Sequence, residues 1–132
     1  MAHVLDASAL TAYFEKEPGY EKVQKLLTEA ALGDRKLLLS AVNWGEVYYV
    51  THRTHGASQA NQVAEVIETF PIELVDVDVE IAKQAALFKV SHKLPYADCF
   101  AAALAKVKKS TLVTGDKEFK PLEDQIKIAW LR

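Results

Sequence analysis

Four acidic residues stand at positions where this chain could do chemistry. Asp6 follows the short apolar run "HVL", and Asp116 follows "STLV" within the segment "LVTGDKEF". Asp98 lies early in "LPYADCFAAALAKV", and Glu46 lies inside "SAVNWGEVYYV". If these carboxylates converge, they cannot all stay ionised without a bound cation, because like charges at close range raise one another's pKa.

A site made only of carboxylates favours Mg²⁺ or Mn²⁺ over zinc. Such a cation keeps water ligands, accepts phosphate oxygens, and can activate a water that attacks a phosphodiester. The hydroxyls of Ser8 and Thr114 lie two residues from Asp6 and Asp116, so they could orient a carboxylate, a metal-bound water or a phosphate. Ordinary local capping is the alternative for both hydroxyls.

Each acid also has a purely local explanation. Asp6 could be the N-cap of a helix, and Asp116 could be a turn residue after Gly115. Asp98 could be a first-turn acid that the helix dipole favours, and Glu46 could be a half-exposed helix acid. The joint pattern favours a site, because every one of these acids follows a predicted strand or lies early in a helix that begins there.

Two of the acids are unusual for their surroundings. At helical spacing Asp98 shares a face with small residues that allow close packing, so its carboxylate is expected to be partly buried. A buried charge is costly unless it is paired or binds a metal. Glu46 has no Lys or Arg three or four residues away that would explain it as a local ion pair.

The hydrophobic pattern predicts the elements that would position these acids. Strands are predicted at 3–5, 36–39, 72–77, 110–113 and 126–131, the last as an edge strand. Helices are predicted at 7–15, about 19–32, about 41–54 after a Ser40 cap, about 57–69, 79–91 after an Asp78 cap, and about 95–108. This alternation predicts an α/β fold with a mainly parallel sheet covered by helices on both faces. The functional crevice of such a sheet lies outside the carboxyl ends of its strands, where Asp6 and Asp116 would meet.

Composition sets the class of protein. The 132 residues suit one domain over 1–132, and half of them are hydrophobic, which is enough for a core. Formal net charge is −2, so bulk charge does not point to nucleic acid. The single cysteine, Cys99, excludes an internal disulfide and fits a cytoplasmic location. We find no secretory signal and no apolar run of membrane-spanning length.

The four acidic motifs resemble those of PIN-domain ribonucleases, most closely the VapC-type toxins of VapBC toxin–antitoxin pairs. The resembling segments are "VLDASAL", "SAVNWGEV", "LPYADCFAAALA" and "LVTGDKEF", in the family's order and over nearly the whole chain. The resemblance implies a three-layer α/β/α sandwich with about five strands. It also implies a Mg²⁺- or Mn²⁺-dependent endoribonuclease that is the toxin of a type II toxin–antitoxin pair, with a cognate antitoxin as its partner, and it implies a homodimer.

By the same resemblance Asp6, Glu46, Asp98 and Asp116 would be the catalytic, metal-binding acids. Ser8 and Thr114 match polar positions beside the first and last acid. Phe119 matches an aromatic that follows the last acid, and we interpret it as core. We favour a solvent-facing position for Glu118, with a role as an extra acid as the alternative.

An RNA-cleaving protein with this net charge needs a local basic rim. The candidates are Lys93, Lys106, Lys108 and Lys109. A lysine group at a helix end can instead be a solvated partner of the helix dipole, and both interpretations stay open.

Two other functions compete with the ribonuclease. One is a phosphoesterase that uses the same carboxylate–metal site on another substrate. Ser8 stands where an aspartyl-phosphate nucleophile motif has a second Asp, which argues against covalent phosphatase chemistry. The other is a non-catalytic module that binds RNA or protein, and four intact acids argue against it.

Overall fold

The computed structural model describes residues 2–132, which form five strands, six α-helices and one 3₁₀ helix. The strands are β1 (Ala2–Leu5), β2 (Lys36–Ser40), β3 (Ile72–Val75), β4 (Thr111–Thr114) and β5 (Ile128–Trp130). The helices are α1 (Ala7–Glu15), α2 (Tyr20–Ala31), α3 (Ala41–His55), α4 (Ala57–Thr69), α5 (Val79–Ser91), α6 (Tyr96–Val107) and the 3₁₀ helix Lys117–Leu122.

All five strands form one parallel sheet in the order β3-β2-β1-β4-β5. Strand β1 lies at the centre, and its last residue, Leu5, is in register with Leu39 of β2 and Val113 of β4. The predicted α/β fold with a parallel sheet of about five strands is therefore confirmed. Because β1 and β4 are neighbours that run in the same direction, the residues that follow them emerge at one edge of the sheet.

Two hydrophobic cores cover the two faces of the sheet. Successive residues of β1 point to opposite faces, so Val4 belongs to one core and Leu5 to the other, and both are fully buried. Phe119 is also fully buried, in the same core as Val4, as predicted. Small side chains let α6 pack closely here: its alanines 101, 102, 103 and 105 are all buried. This close packing fixes the start of α6, and with it Asp98.

Most predicted boundaries lie within one or two residues of the observed ones. The predicted strands 72–77 and 126–131 are longer than the observed β3 and β5, because pairing with the neighbouring strand stops earlier than the apolar pattern does. The predicted caps are confirmed: Asp78 accepts a hydrogen bond from the Ile81 N–H at 2.9 Å, and Ser40 accepts one from the Val42 N–H at 3.2 Å. Strand β5 is an edge strand, as predicted. Among residues 2–132 no helix has both the length and the apolar character needed to cross a membrane.

The α1–α2 loop lies against the end of β5, and Gly19 makes this contact possible. Gly19 has φ +95°, and a Cβ there would lie 2.4 Å from the main-chain oxygen of Leu131. Gly33 has a similar φ of +87°, but a Cβ there would meet no atom within 4 Å. A side chain at either glycine would therefore strain the backbone, but only a side chain at Gly19 would also collide with a neighbouring residue.

We predict that Gly19→Ala lowers the free energy of unfolding by about 3 kcal/mol and that Gly33→Ala lowers it by only about 1 kcal/mol. Both variants place Ala in a left-handed conformation, but only Gly19→Ala also pushes β5 away. Urea unfolding of the two variants beside wild type measures the difference. Equal losses of stability would contradict the close contact between this loop and β5.

Candidate active site

Asp6 is held by three hydrogen bonds at the carboxyl end of β1. Its Oδ1 accepts from the Ser8 hydroxyl and from the Ala9 N–H, each at 2.8 Å, and its Oδ2 accepts from the Thr114 hydroxyl at 2.5 Å. A carboxylate has about four acceptor positions, so one remains free, on Oδ2. Asp6 is 2% exposed, and burial raises its pKa to about 6, although the three hydrogen bonds oppose that rise.

The two hydroxyls connect Asp6 to the turn after β4. The Thr114 hydroxyl accepts from the Asp116 N–H at 2.9 Å, and the Ser8 hydroxyl accepts from the Gly115 N–H at 3.1 Å. The two hydroxyl oxygens lie 3.1 Å apart. This network fixes the backbone of the turn, and it therefore fixes where the Asp116 side chain begins.

Asp98, Asp116 and Glu118 form the tightest group of acids. One carboxylate oxygen from each lies within 4.8 Å of the other two. Asp116 caps the 3₁₀ helix, because its Oδ1 accepts from the Glu118 N–H at 2.9 Å. That turn brings Glu118 back toward Asp98. Glu118 is exposed, in agreement with the solvent-facing position that we favoured. It also lies close enough to Asp98 and Asp116 to be an additional metal-binding acid.

Asp98 is the least satisfied of these acids. It is 8% exposed, and its Oδ2 has no hydrogen-bond donor among residues 2–132. Burial raises the pKa of Asp98 to about 8, and the neighbouring carboxylates, Asp116 first, add to the rise. Without a metal, Asp98 is therefore expected to hold a proton near neutral pH.

Glu46 reaches the same cleft from α3. Asn43 donates to Glu46 Oε1 at 3.4 Å and to the Ala97 carbonyl at 3.1 Å, so it ties α3 to the start of α6. Asn43 is fully buried. Burial raises the pKa of Glu46, the Asn43 hydrogen bond opposes this rise, and the Asp116 charge adds to it.

The four predicted acids line one cleft of about 190 Å³ at the carboxyl edge of the sheet. Ser8 lies in the same cleft, and Thr114 lies beneath it, fully buried. The local explanations also hold in part, because Asp6 caps α1 and Asp116 caps the 3₁₀ helix. Capping uses some oxygens of each carboxylate and leaves others facing the cleft.

The structure separates the candidate basic residues. Lys93 lines a cleft of about 630 Å³ that Glu118 also lines, so it adjoins the acids. Helix α6 begins at the acids and runs away from them, so Lys106 lies about 12 Å further along the helix axis than Asp98, at about 1.5 Å per residue. Lys106 and Lys109 line a different cleft, of about 280 Å³, next to the start of β4. The structure therefore does not bring Lys106, Lys108 and Lys109 to the acidic cleft.

Two residues of the site were not among the candidates. Glu17, just after α1, also lines the cleft. Asn43 positions Glu46, and the only sequence signal for it is an amide three residues before an acid on a helix, which is too common to be decisive.

These residues fit a divalent cation of the Mg²⁺ or Mn²⁺ type. The donor set is all carboxylate, the buried Asp98 Oδ2 has no donor, and burial with mutual repulsion raises the pKa of three of the acids. A cation would remove both the repulsion and the unsatisfied oxygen. Asp98, Asp116 and Glu118 would hold it most directly, and Asp6 could contribute its one free position.

Comparisons with known proteins agree with this fold. The profile of one family, described as the PIN domain, matches residues 3–124. A comparison with curated protein sequences found no significant match.

Several solved structures are similar over nearly the whole chain. VapBC2 from Rickettsia felis, bound to a DNA fragment from its promoter, has 15% identity and a TM-score of 0.77, with 98% of each chain covered. The DNA-bound VapBC of Salmonella typhimurium has 16% identity and a TM-score of 0.77, covering 100% of this chain and 99% of that one. VapC20 from Mycobacterium tuberculosis, described as a sarcin–ricin loop cleaving toxin, has 17% identity and a TM-score of 0.72, covering 90% and 93%.

The raised pKa values predict how stability depends on pH without metal. Between about pH 4 and pH 8 the folded protein holds more protons on Asp6 and Asp98 than the unfolded chain does, so stability falls as pH rises. We predict that Asp98→Asn weakens this dependence and, in EDTA at pH 8, raises the free energy of unfolding by about 1–2 kcal/mol.

Urea unfolding from pH 5 to pH 8.5 in EDTA tests this. Asp124→Asn is the matched control, because Asp124 is exposed and lines a cleft away from the acids. Added Mg²⁺ should stabilise wild type more than Asp98→Asn at pH 8. The same pH dependence in Asp98→Asn and wild type would refute the raised pKa of Asp98.

The Thr114 hydroxyl should contribute more to the free energy of unfolding than the Thr114 methyl group does. Thr114→Val leaves Asp6 Oδ2 without its donor and the Asp116 N–H without its acceptor, so we predict a loss of about 2–3 kcal/mol of stability. Thr114→Ser keeps the hydroxyl and should lose about 1 kcal/mol. Urea unfolding at pH 7 with Mg²⁺ compares them, and equal losses would mean that the network contributes little.

Proposed function

The chain belongs to the PIN domain family, and on this premise we propose that it is a Mg²⁺- or Mn²⁺-dependent endoribonuclease. The observation that carries the proposal is the cleft where Asp6, Glu46, Asp98 and Asp116 meet. The family match supports nuclease chemistry, and the carboxylate donor set supports these metals. When bound, the cation would supply an activated water and neutralise charge on the phosphodiester.

The chain's own residues would prepare the site for that step. Hydrolysis forms a bond from the water oxygen to phosphorus and breaks the bond from phosphorus to one ribose oxygen. Ser8 and Thr114 hold Asp6 in one orientation, and Asn43 holds Glu46, so these two carboxylates need little rearrangement. The raised pKa of Asp98 means that its proton must leave when a cation binds, which would make metal binding weaker at low pH.

We extend the proposal to a type II toxin. The support is the similarity to solved structures described as VapBC complexes and as a cleaving VapC toxin. A cognate antitoxin would be the protein partner, residues 1–132 would be a single nuclease domain, and the location would be cytoplasmic. Expression of wild type alone should slow growth, and co-expression of a neighbouring antitoxin gene should restore it.

A homodimer is part of the same proposal. Three large apolar side chains of α5 are exposed: Val79 and Val90 at 84% each, and Leu87 at 52%. A second copy of the chain would remove them from water. Sedimentation of wild type and of Leu87→Lys distinguishes a dimer through this helix from a monomer.

We predict that Asp116→Asn reduces RNA cleavage by more than about 100-fold while the protein stays folded, because loss of even an outer partner of a metal site costs about 10–100-fold. The assay incubates cellular RNA with wild type or variant, in Mg²⁺, Mn²⁺ or EDTA. Asp124→Asn removes the same charge away from the cleft and should cleave like wild type. Circular dichroism verifies folding.

The other outcomes separate the competing functions. Turnover of a small phosphate ester but not of RNA would favour the phosphoesterase. RNA binding with no metal affinity by calorimetry would favour the non-catalytic module. Equal cleavage by Asp116→Asn and wild type would refute the assignment of Asp116.

A further inference from the structure

An arginine, Arg132, follows β5 on the side of the sheet where the acidic cleft lies. Thr114 is in register with Trp130, and the Leu131 N–H donates to the Thr114 carbonyl at 3.0 Å. Because β4 and β5 are parallel, continuing this register brings Arg132 beside Asp116 at the carboxyl edge of the sheet.

The guanidinium of Arg132 occupies a definite place. Its Nη1 donates to the Pro18 carbonyl at 2.9 Å. A Cβ on Gly115 would lie 2.7 Å from Nη1 and 2.9 Å from Cζ, so the guanidinium packs where a side chain would otherwise be. Gly115 does not have a positive φ, so it is space and not backbone conformation that requires glycine. Glu17 and Asp116, the neighbours of these two contact residues, both line the acidic cleft.

Arg132 is a cation without a carboxylate partner. The ion pairs among residues 2–132 are Arg35–Glu29, Lys36–Glu73 and His55–Glu15, and none includes Arg132. One of its five N–H donors bonds to Pro18, which leaves others for a ligand. A guanidinium with free donors suits the two oxygens of a phosphodiester.

Two lysines add positive charge to the same end of β5. Lys117 Nζ bonds to the main-chain oxygen of Arg132 at 2.5 Å and lies 4.3 Å from the centre of the Trp130 ring. Lys22 Nζ bonds to the Trp130 carbonyl at 2.9 Å. Neither lysine forms an ion pair with an Asp or Glu side chain among residues 2–132. Their charges therefore remain available to attract a polyanion.

We propose that Arg132 binds a backbone phosphate of the RNA beside the acidic cleft and that Lys22 and Lys117 strengthen this phosphate-binding rim. The inference rests on the proposed ribonuclease function. It explains how an acidic chain can hold RNA at a cluster of carboxylates: the cations come from the first turn of α2, from the start of the 3₁₀ helix and from Arg132, just after β5. Lys93, on the Glu118 side, would contact the strand where it leaves the cleft in the other direction.

The test measures binding of a fluorescent single-stranded RNA of mixed sequence. Phosphate contacts do not depend on sequence, so an identified target is not needed. Ca²⁺ is present to occupy the carboxylates, and gel analysis verifies that the RNA stays intact. Arg132→Gln should weaken binding about 10-fold and reduce the slope of log K against log salt by about 0.7, the contribution of one phosphate contact in single strands. Arg132→Lys should recover part of the affinity.

Arg35→Gln is the matched control. Arg35 immediately precedes β2, so it lies at the amino ends of the parallel strands, whereas the acidic cleft lies at their carboxyl ends. Removal of its charge should leave the RNA affinity and the salt slope unchanged. In cleavage assays Arg132→Gln should raise KM about 10-fold with little change in kcat, since a phosphate away from the reacting bond contributes equally to ground state and transition state.

Gly115→Ala gives a second variant that keeps the arginine but displaces it. Gly115→Ala alone should weaken RNA binding, and in the Arg132→Gln background it should cause no further loss. If wild type binds and cleaves RNA and Arg132→Gln does so with the same affinity, KM and salt slope, the rim is refuted and the ribonuclease stands. If wild type neither binds nor cleaves RNA, the proposed function fails, and the rim fails with it.

Discussion

Repulsion between carboxylates in a partly buried cleft is the constraint on which the rest of this structure depends. Water screens such charges poorly once they are buried, so the folded chain must provide protons, donors or a cation. Asp6 receives three hydrogen bonds, whereas the Oδ2 of Asp98 has no donor among residues 2–132, and burial beside other carboxylates raises the pKa of Asp98. The hydrogen-bonding needs of Asp6 are therefore largely met, whereas those of Asp98 are not. A bound cation would compensate the Asp98 carboxylate.

The fold produces this constraint through chain direction. Parallel pairing of β1 with β4 puts Asp6 and Asp116 at one edge, and close packing of the α6 alanines against the sheet brings Asp98 to the same place. The hydroxyl of Thr114 then joins the two strand ends into one network. Stability and chemistry are opposed here, because the packing that fixes Asp98 also removes it from water.

Strand and helix periodicity predicted the fold and the convergence of the acids, because both follow from the order of elements along the chain. Side-chain geometry could not be predicted in this way. The position of Glu118 depends on a 3₁₀ turn, and that of Arg132 depends on the register of the edge strand. The sequence predicts a helix that contains both Asp98 and Lys106, and the length of this helix already separates the two residues. The lysine-rich segment alone does not reveal at which end of the sheet the lysines lie.

Anomalous scattering from crystals grown with Mn²⁺ would test the central claim most directly, since it locates the cation without assuming an activity. We expect a single dominant peak between Asp98 and Asp116, within reach of Glu118, that is lost in Asp98→Asn crystals. A peak at another acidic surface, or none at the cleft at millimolar Mn²⁺ above pH 8, would contradict the account, because the carboxylates would then be held by protons and local capping alone.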